Sequence, residues 1–210
     1  MPFPTTVVEV LQLLRDGREA DLAGVEESQW LEVKGAPYTL TKDDRQKWEL
    51  AKDVSALANS GGGMILIAAL TERPEAWYEE KITAIKAVPA KLVDLDQYRK
   101  VLAGWTFPPV GPFTELVPFE RDAGSRLVAI VVKPVSDDEQ PVMVRTKVPI
   151  GSEVIEVWSI ARRVGTGTEW IPSQVVWSDI RDGRLARRSL GRVSPAEADA
   201  TFSQPVAADL

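Results

Sequence analysis

Three consecutive glycines, Gly61 to Gly63, stand between a helical repeat and an uninterrupted apolar run, and this junction restricts the fold more than any other stretch of the chain. Upstream, Leu50, Ala51, Val54, Leu57 and Ala58 recur at the three- and four-residue steps of one helix face, with Arg45, Glu49 and Lys52 opposite. Thr41 and Asp44 supply a capping-box-like start. Asn59, Ser60 and the glycines end the helix, because glycine adopts a left-handed cap without steric penalty. Met64 to Ala69 is then apolar at every position, as a central strand buried on both faces requires.

The flanking patterns add both kinds of element. Val7, Val8, Leu11 and Leu14 predict an amphipathic helix over Thr5 to Arg15, stopped by Gly17. Trp30 to Lys34 alternates faces like a strand. A second helix is expected over Asp94 to Ala103, with Leu95, Tyr98 and Leu102 inward and Gly104 as its stop. Beyond Pro108, Pro109 and Pro112 the pattern turns to strands. Phe113 to Phe119 and Arg126 to Val132 predict a hairpin, and Val142 to Val148, Glu153 to Ser159 and Arg162 to Val164 further strands. Pro172 opens a short helix through Ile180, and Ser194 to Leu210 has the composition of a mobile tail. The expectation is an α+β fold: a mixed, largely antiparallel sheet with packed helices. Residues 1–19 form a helix on the core, 20–193 the main domain and 194–210 the tail.

Residue usage narrows the chemistry. The chain contains no cysteine and no histidine, so thiolate, imidazole and cysteine-zinc chemistry are all excluded. Any catalysis must rest on carboxylates, lysine, hydroxyls or a hard cation held by oxygen. The net charge of −6 opposes non-specific attraction to a polyanion over the whole surface, yet is compatible with a local basic patch. The longest apolar run, Met64 to Leu70, falls far short of the roughly 20 residues that span a bilayer. Met1 to Val10 lacks the pattern of a secretory signal, so a cytoplasmic location without membrane association is expected.

Several side chains are candidates for phosphate chemistry, each with an ordinary structural alternative. Glu32 and Lys34 share a strand face and either point together at a phosphate or form a modest surface ion pair. The amides of Gly61 to Gly63 either receive an anion or merely turn the chain, and the P-loop pattern is absent. Arg162 and Arg163, followed by Gly165-Thr166-Gly167-Thr168, either grip phosphate or decorate an edge strand. Arg181 to Arg192, including Arg187 and Arg188, is the one dense basic stretch. The seven tryptophans, at 30, 48, 77, 105, 158, 170 and 177, are core or interface anchors by default, and exposed ones would stack on unpaired bases.

Three segments together resemble the Schlafen/AlbA-like domain family. They are Glu27-Ser28-Gln29-Trp30-Leu31-Glu32-Val33-Lys34, then Ala56 to Ile67 with its Asn-Ser-Gly-Gly core, and more weakly Pro141 with Arg163-Val164-Gly165-Thr166-Gly167-Thr168. They occur in the family's order across about residues 20 to 170. The resemblance implies a mixed-sheet α+β fold acting on DNA or RNA. In Schlafen-type ribonucleases it also implies a metal-dependent phosphodiesterase site. By position Glu27 and Glu32 would hold magnesium or manganese, and Lys34 would stabilise developing charge. The third acidic slot reads Ala69, Leu70 and Thr71 here, with Glu72 the nearest acid. Glu27 and Glu32 are an odd number apart, so they share an ion only if Glu27 lies in a bend before the strand.

The leading expectation is therefore a nucleic-acid-binding domain, with RNA or single strands favoured over duplex DNA. Lys34, Lys52, Arg162, Arg163, Arg187 and Arg188 are its cationic contacts, with metal-dependent endonuclease activity as an added possibility. The alternative is a catalytically inactive module for protein interaction or self-association, including a homodimer.

Overall fold

The computed structural model describes residues 3–41, 44–72, 80–122, 124–136 and 139–171, all within the unit Met1–Ile171. The helix expected from Pro172, the arginines at 181–192, Trp77, Trp177 and the tail from Ser194 lie outside the described residues.

In chain order the elements are α1 (Val7–Arg15), β1 (Leu31–Lys34), α2 (Asp44–Ala58), β2 (Gly63–Ile67), β3 (Ala69–Glu72), β4 (Lys81–Ile85) and β5 (Val88–Pro89). They continue with α3 (Leu95–Trp105), β6 (Thr106–Phe107), β7 (Thr114–Glu120), β8 (Ser125–Val132), β9 (Met143–Ile150), β10 (Glu153–Val164) and β11 (Gly167–Ile171). The fold is α+β.

In the first sheet β2 is central, as its apolar run dictates. β1 pairs with it in parallel, Leu31 opposite Met64 through Lys34 opposite Ile67. Parallel neighbours need a crossover, and α2 is that crossover. On the other side β8 runs antiparallel, Gly63 opposite Val132. The far edge of β8 carries β7, and β5 meets β8 at Val88 and Arg126. A second sheet, antiparallel throughout, has the order β11-β10-β9-β6. Its outer strand β6 covers only Met143 and Val144 of β9. β3 and β4 form a separate hairpin.

α2 lies between the two main sheets, touching β2 and β8 on one side and β9 and β10 on the other. Its second half is accordingly buried all round, from Leu50 through Ala58 apart from Lys52. Each fully buried leucine or isoleucine of this core contributes about 1.5–3 kcal/mol of transfer free energy.

Three expectations need correction. Val8 is exposed and Val10 buried instead, because the stripe Val7, Val10, Leu11, Leu14 follows the helical step and Val8 lies about 100° away from Val7. Gly104 does not stop its helix: α3 continues to Trp105, whose buried ring anchors the last turn, and the Thr106 hydroxyl donates to the Leu102 carbonyl at 2.7 Å. The strands expected at 153–159 and 162–164 are one continuous strand, β10, paired along its length with β9 and then β11.

Candidate functional site

The start of β1 is shaped by a tight turn at Ser28. The Ser28 amide donates to the Leu31 carbonyl at 3.0 Å, and the Leu31 amide donates to Ser28 Oγ at 3.2 Å. This bend swings Glu27 alongside the strand, where its Oε1 accepts from the Val33 amide at 2.8 Å. Glu27 and Glu32 thus approach the same cation, Arg163, despite their odd spacing. Burial pushes the Glu27 carboxyl above the ordinary glutamate range, against the opposing pull of the Val33 amide and the Arg163 charge.

Glu32 sits in a chain of alternating charges. Its Oε2 accepts from Arg163 Nη1, and its Oε1 pairs with Lys34 Nζ at 2.6 Å. Lys34 also reaches Asp53 Oδ2 at 3.0 Å, and Asp53 Oδ1 lies 3.2 Å from Lys52 Nζ. Lys52 in turn holds Glu49 at 2.6 Å. The Tyr38 hydroxyl donates to Asp53 Oδ2 at 2.7 Å, and burial followed by the Asp53 charge holds that phenol well above its usual range. Arg163 further donates from Nε to the Ser28 carbonyl at 3.1 Å. Strand β10 is thereby fastened to β1, and β1 to α2.

Of the expected cationic contacts, Lys34, Lys52 and Arg163 lie in this chain of charges, and each is matched by a carboxylate. Arg163 is buried and does not present itself to a phosphate; its role as a surface contact is corrected to a structural one. Arg162, the next residue on β10, projects to the opposite face and is exposed. Arg187 and Arg188 lie outside the described residues.

These acids do not fit a divalent cation. Both oxygens of Glu32 are already taken by cations, and Glu27 Oε1 is engaged by a backbone amide. Glu72 is exposed on the separate β3–β4 hairpin. Its neighbour Thr71 points the other way, donating to Glu80 Oε2 at 2.6 Å, and it is Glu80 whose charge bears on Glu27. Among the described residues no group of three or more acids is placed to hold a metal ion.

The Asn-Ser-Gly junction is likewise committed to structure. Asn59 Nδ2 donates to the Val142 and Ala161 carbonyls at 2.8 and 2.7 Å, and its Oδ1 accepts from the Val142 amide at 2.8 Å. Ser60 Oγ accepts from the Arg163 amide at 2.8 Å. A Cβ on Gly62 would lie 2.7 Å from the Val132 carbonyl oxygen, and one on Gly63 would collide with that of Trp30. Close backbone packing, rather than an anion, requires these glycines.

The surface that sequence reasoning missed is the outer face of the second sheet. On β10, Ala161 and Arg163 face α2, so Val154, Glu156, Trp158 and Arg162 face outward. Directly opposed residues share a face, which places Arg145 beside Trp158 and Phe107 beside Met143. Phe107 and Trp158 are 56% and 49% exposed, with ring centroids 6.0 Å apart. Arg145 holds Glu156 on the same face. The alternation of Val154, Glu156, Trp158, Ile160 and Arg162 was the available signal.

No family model matches the chain, and no curated protein matches it. No helix among the described residues is long and apolar enough to cross a membrane.

Proposed function

We propose that this chain is a single-stranded nucleic-acid-binding module that holds its ligand without cutting it. The observation that carries the reading is the pair Phe107 and Trp158, half-exposed side by side on a sheet face that also bears Arg145 and Arg162. Exposed aromatic rings on a sheet stack unpaired bases, while a duplex offers no free base face to them. The resemblance of the Glu27–Lys34 and Ala56–Ile67 motifs to the Schlafen/AlbA-like family supports a nucleic acid as partner. The saturation of Glu32 by Lys34 and Arg163 supports binding without metal-assisted hydrolysis.

Fluorescence anisotropy with labelled single-stranded RNA, single-stranded DNA and duplex DNA tests it. Single strands should bind more tightly than duplex, and Trp158→Ala and Phe107→Ala should each weaken binding by about 1–3 kcal/mol, the worth of one stacked base. Equal binding by parent and both variants would refute the stacking surface. RNA incubated with magnesium or manganese should remain full length, and fragments would refute binding without cleavage.

A second reading, self-association, is favoured by the apolar end of the β9–β10 hairpin, where Ile150 and Val154 are exposed. Light scattering across a concentration series distinguishes it, because only this reading expects a mass that rises with concentration.

A further inference from the structure

The first turn of α2, the end of α3 and strand β9 border an open cleft of about 300 Å³ lined by Asp44, Arg45, Trp48, Trp105, Thr146 and Lys147. Its aromatic walls are fixed. Trp48 stacks on Trp170 with centroids 5.6 Å apart, and its Nε1–H donates to Thr146 Oγ1 at 3.2 Å. Trp105 is buried, with the Arg145 guanidinium 5.5 Å from its ring centroid.

The charges around the pocket are unequal. Hydrogen bonds from Lys147 and then Lys47 hold the Asp44 carboxyl down to about 2, so it stays ionised and occupies both amines. Arg45 is exposed and has no ion pair among the described residues. The Trp48 ring carries Trp170 and Lys52 Nζ, the latter 5.3 Å from its centroid, so it and the buried Trp105 border the pocket with their remaining edges; with the Arg45 guanidinium these suit a flat heteroaromatic ring that carries phosphate. The volume is at the lower end of the roughly 300–1,000 Å³ of small-molecule clefts, enough for one ring system. Arg145 connects this pocket to the outer sheet face, since it stands opposite Trp158 and lies over Trp105.

We infer that this pocket receives one nucleotide of the bound strand, its base against Trp48 and Trp105 and its phosphate on Arg45. The inference rests on the single-strand reading above and extends it to a second contact point.

The test is nuclear magnetic resonance of the indole N–H groups of the full chain, assigned with single Trp→Phe variants, during titration with AMP and UMP. Adenosine, uridine and inorganic phosphate serve as separate arms. The Trp48 and Trp105 signals should shift saturably, with nucleotides binding more tightly than nucleosides or phosphate. Arg45→Glu, at an exposed position, should weaken nucleotide binding about tenfold. Absence of a saturable shift at millimolar nucleotide, or undiminished binding by Arg45→Glu, would overturn the pocket. If oligonucleotides still bind through Trp158 in that case, the single-strand reading stands and the pocket alone is wrong. Saturation by mononucleotides without any oligonucleotide binding would keep the pocket and remove the sheet-face reading.

Discussion

Arg163 and Glu32 meet across 131 positions of the chain, and both are buried, at 4% and 8% exposure. An ion pair so enclosed is a poor source of net stability but is expensive to break on one side. Arg163→Met should therefore destabilise the fold by about 3–5 kcal/mol, read from denaturant midpoints. Combining it with Glu32→Leu should recover much of that loss. A single variant as stable as the parent would show that the pair is not formed.

Glu27 gives a pH signature. Its folded pKa is raised by burial, so its stabilising contribution is complete below the unfolded value of about 4.5 and is lost as pH rises through the folded value. At neutral pH the parent carries the penalty of an enclosed charge. Glu27→Gln retains an acceptor for the Val33 amide and should melt higher than the parent at pH 7, with the advantage shrinking as pH falls toward 4.5. Thermal unfolding from pH 4 to 8 decides it, and a lower melting temperature at pH 7 would contradict the sign.

The glycines separate into two groups. Gly62→Ala and Gly63→Ala force a methyl against fixed backbone and should destabilise strongly. Gly104, inside α3 with open space around it, should behave oppositely: Gly104→Ala should stabilise by about 0.5–1 kcal/mol. Circular dichroism melts of the three variants compare them directly.

Salt provides a measure of phosphate contact. With most cations near β1 matched by acids, the affinity for single strands should fall only shallowly with ionic strength. Arg162→Ala should flatten the plot of log affinity against log salt by about 0.7, the slope of one phosphate on a single strand. An unchanged slope would remove Arg162 from the contact set.

The α2–β2 core was legible because the two periodicities meet at a glycine run and leave no competing element. The strand face of Glu32 and Lys34 was equally readable, as was the need for a bend before it. Their neutralisation was not, since it depends on Asp53, which the helical pattern gives no reason to single out, and on a β10 arginine more than a hundred positions later. Phe107 and Trp158 escaped for a related reason. A tryptophan on an alternating strand is ordinarily covered, and whether a neighbour covers it is decided by tertiary packing. β6, at two residues, is too short to register as a strand at all.

Because β6 is so short, β9 leaves its outer rim unladdered from Arg145 to Ile150 among the described residues. Such a rim invites a foreign strand to dock and seed fibrillar growth. The chain counters this within its own sequence: the pairs Arg145–Glu156 and Lys147–Asp44 place charged groups along the rim, and the proline at 149 has no amide hydrogen to offer. Protection of this edge is thus built from residues that native contacts already employ, since Arg145 holds Glu156 and Lys147 holds Asp44.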